Sequence, residues 1–183
     1  MYAQKLPRPV GSEGHLAGKI RLICFASTPG DQVQFRRWAT QLDDHIELLA
    51  VDTPVSALMT QAEALQALIE RLSIYLNVPH ALFAQGASGP VAYQVARAAE
   101  RRFPGQTQHL FVSNCNAPAP SDAPLNVALT ALYPAGALPE FRCWRDFSHR
   151  ELELIEVPEP LPGDPHGQRL VQIINTHLGL LSL

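Results

Sequence analysis

The feature that most constrains this chain is a strand–turn–helix unit between His80 and Arg97, reading HALFAQGASGPVAYQVAR. Ala81, Leu82 and Phe83 form a short apolar run suited to a buried strand. Residues 84–90 (AQGASGP) make a glycine-bearing turn, and a helical pattern follows. A strand, a sharp glycine-rich turn and a helix form the layout of a nucleophile elbow, which holds a catalytic side chain up at the end of a sheet. The question posed by the rest of the chain is whether this elbow carries a nucleophile.

The segments on either side define the sheet. Residues 1–18 are rich in proline, glycine and charge without periodicity, and are expected to be a flexible lead-in. From Lys19 to Leu183 one domain is expected. Ile20–Phe25 is a buried-strand candidate, and the loop Ala26-Ser27-Thr28-Pro29-Gly30 follows it, with Asp31 placed to cap the next helix. In that helix Phe35, Trp38, Ala39 and Leu42 share one face. Ile46–Val51 is the second strand, and Leu58–Leu76 keeps helical period for about five turns. Beyond the elbow, Ala92, Val95, Ala96 and Ala99 form a small-residue stripe that lets a helix approach a sheet closely. His109–Cys115 and Asn126–Tyr133 read as strands, and Leu138–Phe147 as a short helix. Glu151–Val157 alternates polar and apolar residues, as an edge strand does. The last helix presents Leu170, Val171, Ile173, Ile174, His177 and Leu178, with His177 read as a rim residue rather than a ligand. Strands and helices alternate almost throughout, which predicts an α/β fold: a mostly parallel sheet of about six strands with helices on both faces.

Composition narrows the function classes. A net charge of −3 provides no basic field for nucleic acid. No apolar run approaches the ~20 residues needed to span a bilayer, and the N-terminus lacks a basic region followed by an apolar one, so neither membrane span nor signal peptide is expected. The three cysteines, Cys24, Cys115 and Cys143, have no metal-ligand spacing, nor do the seven histidines. Two of the cysteines sit in apolar strand-like runs, so buried, reduced thiols in a cytoplasmic protein are the expectation, with thiol chemistry at Cys115 as the lesser reading.

The runs RLICF, FRRW, IELLAV, ALF, VAYQVAR and HLFVSNCNAP, in this order and spacing, resemble the type II thioesterases of nonribosomal-peptide and polyketide pathways. The resemblance extends from Lys19 onward. It implies an α/β-hydrolase fold and a Ser-Asp-His enzyme that hydrolyses thioesters on the phosphopantetheine arms of carrier proteins. The framework corresponds, but the catalytic positions do not. The family's G-H-S-M-G-A-L elbow falls on Ala84–Pro90, putting Gly86 at the nucleophile, Gln85 at the preceding histidine and Ser88 at the second glycine. The oxyanion loop P-H-A-G-G falls on Ala26–Gly30, where Pro29 lacks an N–H. The acid position holds Tyr133, before Pro134, and the histidine position holds Leu161. The helical lid that the family inserts after the A-P exit loop is absent, since only residues 119–125 separate Pro118 from the next strand run.

A triad works because the base deprotonates the nucleophile while the acid orients the base. With all three positions replaced, the expectation is a thioesterase-like pseudoenzyme without cofactor or metal. It would dock a carrier protein or synthetase module, with Ser27, Thr28, Gln85 and Ala87 lining the cleft. Two other uses stay open: a structural subunit beside an active enzyme, and a cleft that binds an acyl or peptide ligand. The alternative is an active acyl-thioester hydrolase with a displaced nucleophile, Ser88, supported by Asp164 and His166. Against it, Pro90 stands where the shifted motif needs glycine, and Ser88 before Gly89-Pro90 reads as a helix N-cap.

Overall fold

The computed structural model describes residues 3–5, 19–53, 62–118, 123–158 and 165–181. Its strands are β1 (Ala3–Lys5), β2 (Ile20–Ala26), β3 (Ile46–Asp52), β4 (His80–Gln85), β5 (Thr107–Ser113), β6 (Ala128–Tyr133) and β7 (Leu152–Glu156). Its helices are α1 (Pro29–Trp38), α2 (Ala62–Leu76), α3 (Gly89–Arg102), the single turn α4 (Leu138–Phe141) and α5 (Pro165–Leu180). The strands form one sheet in the order β1-β3-β2-β4-β5-β6-β7. β2 through β7 are parallel, and β1 adds an antiparallel edge by pairing Ala3, Gln4 and Lys5 with Val51, Ala50 and Leu49. The expected sheet of about six strands thus gains a seventh, drawn from the segment read as a flexible lead-in. Residues 6–18 lie outside the described residues.

The alternation of side chains along each strand divides the core into two layers. Ile23 and Phe25 of β2, with Leu82 and Ala84 of β4, face Leu68, Ile69, Leu72 and Leu76 of α2 and Val91, Ala92, Val95 and Ala96 of α3. Leu22 and Cys24, with Ala81 and Phe83, face Phe35 and Trp38 of α1 and Leu170, Ile173, Ile174 and Leu178 of α5. Phe35, Trp38 and Phe83 pack edge-on or tilted, with centroids 4.9–5.9 Å apart. β7 lies at the sheet edge, as its alternating pattern predicts, and keeps partly exposed residues throughout.

Two glycines at the elbow have different physical reasons. Gly89 opens α3 where a Cβ would lie 2.6 Å from Cys115 Cβ and 2.8 Å from its sulfur, so only glycine lets the helix approach that close. Gly86 has φ +56°, the left-handed region that costs other residues energy, yet a Cβ there would meet nothing within 4 Å.

Candidate active-site frame

The topology places a crevice. From β2 the chain passes through α1, on one face, to β3; α2, on the other face, returns it to β4 on the far side of β2. Ligands in open parallel sheets bind where the winding reverses in this way, outside the carboxyl ends of the strands. Here those ends are the loop after β2 and the elbow after β4.

At the elbow Gln85 is extended (φ −132°, ψ 149°), Gly86 turns left-handed, and a short 3-10 segment (Gly86–Ser88) leads into α3. Gly86 therefore occupies the tip, in open space, with no side chain to present. Ser88 is the residue before α3, as expected of an N-cap, but its hydroxyl does not cap that helix. It turns back, accepting the Gln85 N–H at 3.2 Å with Phe25 O at 3.2 Å and Gln85 O at 2.9 Å as its acceptors. The residue is fully buried. A serine one turn inside the tip closes the sharp bend by bonding backbone polar groups that the turn strands, and the N-cap expectation is corrected accordingly.

Across the crevice, Thr28 rather than Asp31 is the N-cap of α1 (its Oγ1 accepts the Asp31 N–H at 3.2 Å), and Asp31 is the third residue of a capping box. The Asp31 carboxylate does more than complete that box. Its Oδ2 accepts the backbone N–H groups of Ser27 and Thr28, both at 2.8 Å, and the Ser27 hydroxyl at 3.1 Å. Its Oδ1 accepts the Gln85 side-chain amide at 2.6 Å, and that amide also donates to Gln34 Oε1 at 3.1 Å. Asp31 thus ties the loop after β2 to the elbow. It also engages the Ser27 and Thr28 N–H groups of this loop, to which Pro29 contributes none. Of the four residues expected to line a cleft, Ser27, Thr28 and Gln85 belong to this network, and Ala87 lies exposed beside Gly86. The Thr28–Asp31 spacing was legible as a capping signal. The reach from Asp31 to Gln85 was not, because it depends on the switch point bringing the two loops together.

The other expected positions are dispersed. Tyr133 ends β6 with its ring packed on Phe141 at 5.8 Å between centroids. Leu161 and Asp164 lie outside the described residues; His166 is in the first turn of α5, with its side chain outside them. Among the described residues no group of three or more His, Cys, Asp or Glu side chains could hold a metal ion. Nor is any helix long and apolar enough to cross a membrane.

A cleft of about 420 Å³ opens beside the elbow instead, on the β5–β6 side. The exit loop Cys115–Pro118 forms one wall, and α4 with the 3-10 turn Arg142–Phe147 forms the other, through Glu140, Phe141, Cys143, Asp146 and Phe147. Ser27, Thr28, Gln85 and Ala87 do not line it. Cys115 backs the cleft from a buried position, donating to Ser113 O at 3.3 Å while Trp144 Nε1 donates to its carbonyl at 3.1 Å. Burial pushes its thiol up to about 12, against a weaker lowering by the backbone bonds, so it is a protonated packing group at neutral pH. Burial likewise raises Cys24, and no cysteine is in a disulfide.

Two histidines lie within the sheet. His80 places Nδ1 2.8 Å from Val78 O and Nε2 2.9 Å from Thr107 Oγ1; His109 places Nε2 2.8 Å from Thr130 Oγ1. Burial lowers them to about 4 and about 3, so both are neutral at pH 7. His177 sits at the rim of α5, as expected, bridging Ile173 O at 2.7 Å and Glu153 of β7 at 2.5 Å.

No family model matches the chain. Over 153 residues it is 28% identical to the AMB antimetabolite synthetase AmbE of Pseudomonas aeruginosa, a match that takes in 80% of the chain and about 7% of the synthetase's length. RedJ, a thioesterase from the prodiginine biosynthetic pathway of Streptomyces coelicolor, superposes with a TM-score of 0.73 at 22% identity, over 93% of this chain and 97% of that one. ClbQ, from the colibactin NRPS/PKS pathway, superposes with a TM-score of 0.72 at 14% identity, over 90% and 98%. Type II thioesterases from the yersiniabactin NRPS/PKS pathway and the borrelidin biosynthetic cluster are also among the matching structures. From the sheet order to the elbow, this chain has the α/β-hydrolase-like fold of the thioesterases of nonribosomal-peptide and polyketide pathways.

Proposed function

We propose that this chain is a thioesterase-like pseudoenzyme of a nonribosomal-peptide or polyketide pathway, which docks a carrier protein or synthetase module without hydrolysing its thioester. The observation that carries this reading is Gly86: the elbow's tip is built in the left-handed conformation and open, yet holds no side chain to attack a carbonyl. The Asp31 network supports it, because an oxyanion needs donors that are not already engaged. The match to part of a large synthetase supports the pathway. Against displaced nucleophilicity at Ser88 stand its burial and the inward aim of its hydroxyl.

The test is to titrate the chain with an acylated carrier protein in a calorimeter and to follow acyl release by mass spectrometry. Heat of binding without release above the buffer rate is the expected result. Release that disappears in Ser88→Ala would overturn the pseudoenzyme reading, and absence of heat would overturn docking.

A further inference from the structure

Residues three apart eclipse one another in a 3-10 helix, so the turn Arg142–Phe147 sorts its side chains into three columns. Trp144 and Phe147 pack in the core, where their rings meet Tyr93 at centroid distances of 6.3 and 5.5 Å. Cys143 and Asp146 form the column that lines the 420 Å³ cleft. Glu140, three positions before Cys143 in α4, extends that column, and the Cys143 thiol donates to its carbonyl at 2.8 Å. The charges are sorted by this arrangement. Glu140 and Asp146 are the charged residues of the lining, whereas Arg142 and Arg145, the third column, stand outside it. Neither carboxylate makes an ion pair or a side-chain hydrogen bond with the described residues, although both arginines are close in sequence. Ala117, Pro118, Phe141 and Phe147 give the same cleft apolar surface.

We propose that this cleft is a binding site for a small organic amine, with the protonated amino group held by Glu140 and Asp146 and the uncharged body against the apolar surface. The inference goes beyond the docking reading and does not depend on it. A carboxylate only accepts hydrogen bonds and an ammonium group only donates them, so two acids in one column specify a donor-rich cation. A phosphate or carboxylate placed there would meet like charge. The same argument discriminates among amines. An amino acid brings its own carboxylate to the two acids, so the site favours amines that carry no acid group. A volume of about 420 Å³ lies within the usual range for small-molecule sites of roughly 300–1,000 Å³, and apolar walls with a few convergent polar groups are the usual make-up of such sites.

The experiment compares three probes that share one body by calorimetry on the full chain: phenethylamine, the neutral 2-phenylethanol, and phenylalanine, which adds a carboxylate. Phenethylamine is expected to bind at least ~10-fold more tightly than either of the others at low salt, with the preference shrinking as salt rises. Glu140→Gln/Asp146→Asn should bring the amine and the alcohol to equal affinity. The melting temperature should not move, since both side chains are exposed and make no bond to be lost. Glu63→Gln/Glu151→Gln, which removes the same charge from exposed positions elsewhere, should retain the preference. A second measurement locates the ligand without any variant. Cys143 lies between the two acids in the column and is exposed, so saturating phenethylamine should slow its modification by maleimide at least ~3-fold, while 2-phenylethanol at the same concentration should not. Absence of amine binding, equal affinity for amine and alcohol, a preference that survives Glu140→Gln/Asp146→Asn, or an unchanged rate at Cys143 would each overturn the proposal.

Discussion

Removing the Asp31 carboxylate tests whether the frame of the site is held by one buried acid. Its oxygens accept two backbone N–H groups, one hydroxyl and one side-chain amide, and the residue is only 7% exposed. A hydrogen bond to a charged group contributes about 1.5–3 kcal/mol net. Thr28 is exposed and Ser27 half-buried, so water replaces part of what Asp31→Ala removes, and two effective bonds at the lower end give ~3 kcal/mol. For a chain of this size that is a fall of roughly 6–12 °C in melting temperature. Asp31→Asn should cost about half as much, because one acceptor remains and the amides of Gln85 and Gln34 can reverse to match the new donor. Urea unfolding of the two variants measures both values. A loss below roughly 0.5 kcal/mol in Asp31→Ala would refute the claim that this carboxylate ties the loop after β2 to the elbow.

Three further outcomes follow from the packing. Gly89→Ala should cost ~3 kcal/mol, the upper end for overpacking, because the clash is with the Cβ of Cys115, which is fixed to the backbone, whereas Gly86→Ala, in open space, should cost only the ~1–2 kcal/mol of a left-handed residue; thermal melts that reverse this order would contradict the stated reasons. His80 and His109 ionise near 6.5 when unfolded and at about 4 and about 3 when folded, so their contribution is complete above pH 6.5 and declines as pH falls. Between pH 7 and pH 5 urea midpoints should register a loss of about 2 kcal/mol per histidine, and stability that stays level would show that the rings are not buried and neutral. Maleimide should modify exposed Cys143 in the native protein and reach Cys24 and Cys115 only after unfolding, a pattern that peptide mapping can check.

The sequence carried the frame because hydrophobic periodicity and glycine placement are local. Ile20–Phe25, the small-residue stripe of α3 and the alternating pattern of β7 each specify an element and its buried face within a few residues. The site was legible only where it is local too. Gly86 at the tip can be read from the turn, but the aim of the Ser88 hydroxyl cannot, since its acceptor Phe25 O belongs to a neighbouring strand. The link from Asp31 to Gln85 spans 54 positions and exists only because the winding reverses between β2 and β4. The cleft at Cys143 and Asp146 was missed for the same reason: it needs the exit loop and the 3-10 turn together. Its one local signal, Phe141 and Trp144 three positions apart in a short helical segment, specifies packing against the core and not the wall of a cavity. The edge strand β1 escaped notice because three residues are too few for a period, and backbone pairing to β3 specifies them instead.

Under the pseudoenzyme proposal, an elbow tipped by Gly86 does not perform acyl transfer. The most direct measurement incubates the protein with an acyl-thioester substrate and, separately, with a serine-reactive fluorophosphonate, alongside Ser88→Ala. That proposal entails no turnover above the uncatalysed rate and no labelling of either form. Turnover or labelling by the wild-type chain that is lost in Ser88→Ala would contradict it.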